Sequence, residues 1–202
     1  MNSITLAGNR FFRLYYKHCV SPDTDTLFNL LNATHSLNDK LDGCIGKNFY
    51  DSDEFIALKA LRNLFHHQEE LINEVKIIPI DILSSLTTDM LHLCLIHSDA
   101  VAKSIEGIPK KRREIEKLVI NNTLKWYKTV VNINPCIFNF SVKVYEFFAI
   151  NNIPLNCDEY LEFHSSYLFE EENMQDHYIS GDIYSHAGNV DKIIDIVFNK
   201  TA

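Results

Sequence analysis

The chain has 202 residues, a mass of 23.4 kDa and a formal net charge of −8, and 46% of its residues are hydrophobic. This length and composition predict one compact domain with a substantial core and exclude a largely disordered chain. The sequence lacks a long apolar run and the features of a signal peptide, so we expect a cytoplasmic protein without a membrane segment.

Helical periodicity recurs along the chain, and glycine and proline are scarce at 6 and 5 residues. The pattern predicts helices near residues 3–18, 23–42, 51–76, 80–106, 110–132, 136–151, 155–173 and 188–199. No strand-turn-strand pattern competes, so we predict an all-α fold, an antiparallel helical bundle with additional C-terminal helices. The bundle is expected over residues 1–150, and residues 151–202 are expected to form an acidic helical extension that packs on the same domain.

The five cysteines are scattered without any C-x-x-C pair, which predicts reduced thiols that lie mostly in the core. The histidines also lack a compact metal-binding spacing such as H-x-x-x-H or H-E-x-x-H in a suitable setting. We therefore expect neither a metal nor another cofactor. His18 and His35, single histidines in amphipathic helices, are expected to have no special role.

Charge is distributed unevenly along the sequence. Residues 151–190 contain eight acidic residues and no lysine or arginine, which equals the whole net charge of −8 and leaves the rest of the chain formally neutral. Within the neutral part, Lys110, Lys111, Arg112 and Arg113 form a basic cluster at the start of a predicted helix. Positive charge opposes the helix dipole there, so a weak RNA-binding role is one interpretation and a solubilising surface is the other.

The most informative segment reads Leu-Arg-Asn-Leu-Phe-His-His over residues 61–67, inside a strongly helical stretch. Arg62 can hold a phosphate, and a histidine can transfer a proton near neutral pH, which is sufficient in principle for metal-free RNA cleavage. On an α-helix Arg62 and His66 are neighbours, whereas Arg62 and His67 diverge by about 140° around the axis. We therefore predict a homodimer through this helix, in which the second copy completes the site.

This pattern resembles the R-N-x-x-x-H signature of the HEPN superfamily, which lies in a helix of an all-α bundle. The resemblance implies a HEPN-like bundle over residues 1–150 and a metal-independent endoribonuclease of a toxin–antitoxin or antiviral defence system. It implies that His67 is the general base and that Arg62 binds the scissile phosphate. Asn63 would orient either the histidine or the phosphate. RNA would be the substrate, with 2′,3′-cyclic phosphate ends as products, and DNA should resist cleavage.

Two alternatives remain open at this point. His66 shares a helix face with Arg62 and fills the role of the base if the motif is read as R-x-x-x-H, or it serves as a phosphate ligand beside His67. The other alternative concerns function, because some HEPN proteins do not cleave RNA. In that case the chain is a non-catalytic helical module that binds a protein partner, a nucleotide or RNA. An antitoxin or another regulatory protein is a possible partner in either case.

Overall fold

The computed structural model describes residues 3–67, 74–79, 90–127 and 129–180, with the backbone alone for residues 67, 74–79 and 90–93. The helices in this part of the chain are α1 (Ser3–Val20), α2 (Thr24–Ile45), α3 (Asp53–His67), α4 (Ser98–Glu106), α5 (Lys110–Thr123), α6 (Asn134–Ile150) and α7 (Asp158–Glu172). The strands are β1 (Glu74–Pro79), β2 (Met90–His97), β3 (Lys125–Tyr127) and β4 (Val130–Asn132). The predicted, predominantly helical architecture is confirmed.

A small antiparallel sheet accompanies the helices, with the strand order β1-β2-β4-β3. Leu95 of β2 pairs with Glu74 on one side and with Asn132 on the other, and Asn132 also pairs with Lys125. The buried side chain of Asn132 accepts a hydrogen bond from the Cys94 amide at 3.1 Å. This bond ties β4 to β2 from inside the protein.

The sheet corrects three of the predicted helices. In the described part of the predicted 80–106 helix, Met90–His97 forms β2 and Ser98–Glu106 is helical. The predicted 110–132 helix ends at Thr123. Within the predicted 51–76 helix, Asp53–His67 is helical, whereas residues 74–76 belong to β1. A short apolar run fits a buried strand as well as a buried helix, so periodicity alone did not separate them. The predicted 188–199 helix lies outside the described residues.

Aromatic side chains from several helices form the centre of the core. The ring of Phe140 on α6 lies 5.8 Å from Phe11, 5.2 Å from Phe49 and 5.9 Å from Phe55, measured between ring centroids. Gly8 brings α1 close to α6, since a Cβ atom there would lie 2.6 Å from Cζ of Phe148. These contacts join α1, α3 and α6 into one hydrophobic cluster.

Helix α7 packs on α1 and α6 through aromatic contacts. Tyr160 lies 5.1 Å from Phe12, and Tyr167 lies 4.4 Å from Tyr145. The segment before α7 is fixed by the buried Asn9, whose amide donates to Asn156 at 2.8 Å and accepts from the Asn156 backbone at 3.1 Å. The division between residues 1–150 and 151–202 stays a prediction.

All five cysteines are unpaired, and Cys94, Cys136 and Cys157 are buried. Among the described helices, none combines the length and the apolar composition needed to cross a lipid bilayer.

Candidate functional site

The motif occupies the C-terminal part of α3. This helix begins at Asp53 with two acidic residues in its first turn, where negative charge favours the helix dipole. Leu61 and Leu64 are buried in the core, whereas Arg62 is half-buried and Asn63 and His66 are exposed. The amphipathic pattern of the sequence therefore presents the polar motif residues at the surface.

Arg62 is held by two amide side chains. Its Nε–H donates to Oδ1 of Asn32 on α2 at 3.1 Å, and one Nη1–H donates to Oδ1 of Asn63 at 3.3 Å. Both acceptors are neutral, and within the described ranges no carboxylate pairs with Arg62. The guanidinium is thus oriented without being neutralised, which leaves it able to bind an anion.

His35 lies near Arg62 on the neighbouring helix α2. Its Nδ1 is 3.1 Å from Oδ2 of Asp39, one turn further along the helix. Burial lowers the pKa of His35, and the positive charges of Arg62 and Lys59 lower it further, against the opposing effect of Asp39. The imidazole is therefore neutral at neutral pH and can accept a proton.

The other flank of Asn63 is formed by α5 and the turn before it. A small pocket of about 40 Å³ lies here, with Lys59, Asn63 and Arg112 in its wall. Arg112 also pairs with Glu116 at 3.3 Å on the same helix. The pocket has room for about one water molecule, so a larger ligand would lie on the open surface above it.

The four basic residues of α5 differ in their contacts. Lys110 and Lys111 are exposed, and Arg112 borders the pocket beside Asn63. Arg113 instead donates to the backbone carbonyls of Ile108 at 3.0 Å and Glu106 at 2.6 Å. Its observed role is to hold the turn between α4 and α5. Because Arg112 pairs with Glu116, only Lys110 and Lys111 of this cluster are exposed cations for which no ion pair is seen among the described residues.

The two motif histidines follow Arg62 on the same helix. His66 is exposed and lies about 40° from Arg62 around the helix axis. His67 is the last residue of α3, and its side chain lies outside the described part of the structure. The choice between them as base, and the second copy that was predicted to complete the site, stay predictions.

The structure thus defines a motif face, built from α2, α3 and α5 and composed of Asn32, His35, Lys59, Arg62, Asn63, His66 and Arg112. Sequence reasoning found Arg62, Asn63, His66 and Arg112, and it missed Lys59 on α3 together with Asn32 and His35 on α2. The spacing of Asn32, His35 and Asp39, three and then four residues apart, places all three on one side of a helix and was the available signal.

Side chains with metal-ligand chemistry do not cluster in the described ranges. Within the residues that the structure describes, no group of three or more His, Cys, Asp or Glu side chains comes together.

Comparison with known proteins leaves the family open. No family model, no curated protein and no solved structure matches this chain. The resemblance to the HEPN superfamily therefore rests on the motif residues themselves.

Proposed function

We propose that the chain is a metal-independent endoribonuclease of the HEPN type, acting in a toxin–antitoxin or antiviral defence system. The observation that carries the proposal is the guanidinium of Arg62, oriented by Asn32 and Asn63 and free of a carboxylate partner among the described residues. Lys59 borders the same surface and adds positive charge, and Arg112 lies there paired with Glu116. Such a surface suits the phosphates of an RNA strand.

The proposed reaction needs one base and one cation. A motif histidine, His67 or His66, takes the proton of a ribose 2′-hydroxyl, and the 2′-oxygen then attacks the adjacent phosphorus. The bond from phosphorus to the 5′-oxygen breaks, and this leaving oxygen takes a proton from water or from the second motif histidine to become a hydroxyl, while the base later returns its proton to solvent. Arg62 stabilises the charge that develops on the phosphate oxygens. The products carry a 2′,3′-cyclic phosphate and a 5′-hydroxyl.

The proposal includes a homodimer through α3. With His67 as the base, the two residues are five positions apart and point in different directions, so His67 of one copy and Arg62 of the other meet more easily than the pair within one helix. A second protein, such as an antitoxin, would then act by covering the motif face or by preventing dimerisation.

A non-catalytic binding module is the second candidate, and one observation favours it. The bond from Arg62 to Asn32 connects α3 with α2, which is also what a purely structural arginine does. The same positive face would then bind RNA, a nucleotide or an acidic protein surface without cutting a bond.

The test is incubation of the purified protein with a structured RNA and its DNA counterpart in excess EDTA, followed by analysis of the product ends. We expect cleavage of RNA alone, with cyclic phosphate ends. Arg62→Ala and the variant of the true base, His67→Ala or His66→Ala, should lower the rate by about two to three orders of magnitude.

Arg10→Ala is the matched control, since Arg10 is an exposed arginine on α1, outside the motif face. Its rate should equal that of the wild type. Intact RNA with a folded wild-type protein would contradict the nuclease and favour the binding module. Equal loss in Arg10→Ala would show that the effect of Arg62 is not specific to the site.

A further inference from the structure

A cavity of about 510 Å³ lies between α1, α6 and α7, on residues that the proposed RNA chemistry does not use. Its volume is typical of sites that bind small organic molecules. The floor and sides include Val20 of α1 and Phe138 and Val142 of α6. These apolar side chains can bury the hydrocarbon part of a ligand.

The aromatic wall of the cavity is fixed by its own contacts. Tyr15 and Phe163 meet edge to face at 5.8 Å, and Tyr15 also stacks on Phe11 at 6.5 Å. Tyr167 packs 4.4 Å from Tyr145 and donates its hydroxyl to Glu146 at 3.1 Å. A wall that is ordered before binding costs a ligand little conformational entropy.

Helix α7 brings acidic side chains to the same cavity. Glu159, Glu162 and Glu170 recur at helical spacing along one stripe, together with Phe163 and Tyr167. Three carboxylates of the acidic segment of the sequence therefore lie at the border of one concave site. Among the described residues that line this cavity there is no lysine or arginine.

The partners of the three carboxylates leave the site net negative. Glu159 has a long contact of 3.8 Å with the exposed Arg13, and Glu170 accepts from Nδ1 of His177 at 2.8 Å. Inside the cavity, burial raises the pKa of Tyr15 and that of Cys19, so both groups are uncharged at neutral pH. The negative charge is thus confined to the carboxylates of α7.

We propose that this cavity, here called the acidic pocket, binds a hydrophobic organic cation, an ammonium group attached to an aliphatic or aromatic body. The carboxylates attract the positive charge, and the aromatic side chains of Tyr15, Tyr16 and Phe163 add apolar contact. The apolar body fills the space beside Val20 and Val142. An anion of the same shape is repelled, and a neutral molecule loses the electrostatic contribution.

The first experiment is titration calorimetry of the full chain with octyltrimethylammonium, octanoate and octanol, each below its micelle-forming or solubility limit. These probes share one apolar chain and differ in charge. We expect the cation to bind at least about tenfold more tightly than the other two probes, corresponding to about 1.4 kcal/mol. Equal binding of cation and alcohol, or no binding of any probe, would overturn the proposal.

Two substitutions locate the ligand. Glu162→Gln removes a carboxylate of the acidic pocket and should weaken the cation several-fold while leaving octanol unchanged. Ser166→Trp places a large ring at an exposed position in the pocket wall and should block every probe without disturbing the core.

Glu172→Gln is the matched control, an identical change on α7 at an exposed position outside the pocket wall. It should leave cation binding as in the wild type. Loss of binding in Glu172→Gln equal to that in Glu162→Gln would overturn the assigned site, because net charge alone would then explain it. The inference does not depend on RNA cleavage.

Discussion

The motif face and the acidic pocket share one hydrophobic core but differ in charge and in shape. The motif face is an open surface on which Lys59, Arg62 and Arg112 surround a pocket of about 40 Å³ or lie beside it. The acidic pocket is a concave site of about 510 Å³ with carboxylates on one wall. The first suits a long polyanion that lies on a surface, and the second suits a small molecule that enters the protein.

The difference shows that the net charge of the whole chain does not predict the charge at either site. The chain is acidic overall at −8, yet Lys59, Arg62 and Arg112 lie on the motif face, and three carboxylates of α7 line a separate cavity. The two sites also have different supports. Amide side chains orient the motif face, whereas aromatic rings shape the acidic pocket. A substitution among the amide side chains should therefore leave ligand binding at the acidic pocket unchanged, and a substitution near the aromatic rings should leave binding at the motif face unchanged.

The largest expected effect comes from the core that both sites share. Phe140→Ala removes a fully buried ring in contact with Phe11 on one side and Phe55 on the other. We expect a loss of about 3–5 kcal/mol in the free energy of unfolding, measured by urea denaturation, and weaker binding at both sites. Phe169→Ala, the same change at a largely exposed position on α7, should cost far less. Equal losses would contradict a common core centred on Phe140.

The second prediction separates the two sites. Asn9→Ala removes the side-chain bonds to Asn156 that fix the segment entering α7, and leaves the backbone amide of the buried Cys157 without its bond to Asn9. The expected cost is about 1–3 kcal/mol, with faster hydrogen exchange in α7 and weaker cation binding. RNA binding should be unchanged. Asn29→Ala, at an exposed position on α2, is the control, and parallel losses at both sites in Asn9→Ala would argue against separate supports.

Much of the helical architecture was predictable because buried faces repeat at helical spacing. Asp23, for example, caps α2 through Thr26, and Pro135 stands in the first turn of α6. The sheet was not predictable by the same reasoning. The segment 90–97 is apolar almost throughout, so neither a helical period nor strict alternation is visible, and its pairing with residues 130–132 depends on contacts distant in sequence.

The third prediction tests whether the charge of Arg62 must stay unneutralised. Asn32→Asp keeps the shape of the side chain but places a carboxylate next to the guanidinium. We expect RNA affinity to fall about tenfold, measured by fluorescence anisotropy with an RNA carrying 2′-O-methyl groups that prevent cleavage. Asn173→Asp on α7 adds the same charge outside the motif face. Equal weakening by both substitutions would show that only net charge matters.

The part of the candidate site that lies on α3 was predictable from the sequence, whereas the part that lies on α2 was not. Arg62, Asn63 and His66 follow one another on a single helix, so the sequence alone places them on one surface. Asn32 and His35 come from a different helix, and only the packing of α2 against α3 brings them to Arg62. Arg113 shows the opposite case, since its charge suggested RNA binding, while the structure uses it to hold a turn.

The smallest expected effect concerns the pH dependence caused by His35. Its pKa in the folded protein is lowered from an ordinary value of 6.5, so the unfolded chain binds a proton at a higher pH than the folded chain does. The free energy of unfolding therefore falls as the pH drops through about 6.5 towards the folded pKa. His35→Gln should remove this part of the pH dependence, measured by urea denaturation between about pH 5 and pH 8.

The protonation of His35 should also be coupled to the binding of RNA at the motif face. A polyanion near Arg62 offsets one of the positive charges that lower the pKa of His35, so bound RNA should raise that pKa. RNA affinity should then increase as the pH falls through this range in the wild type, and increase less in His35→Gln. His97→Gln, at an exposed position at the end of β2, is the control. Identical pH profiles in wild type and His35→Gln would contradict a phosphate held by Arg62 that raises the pKa of His35.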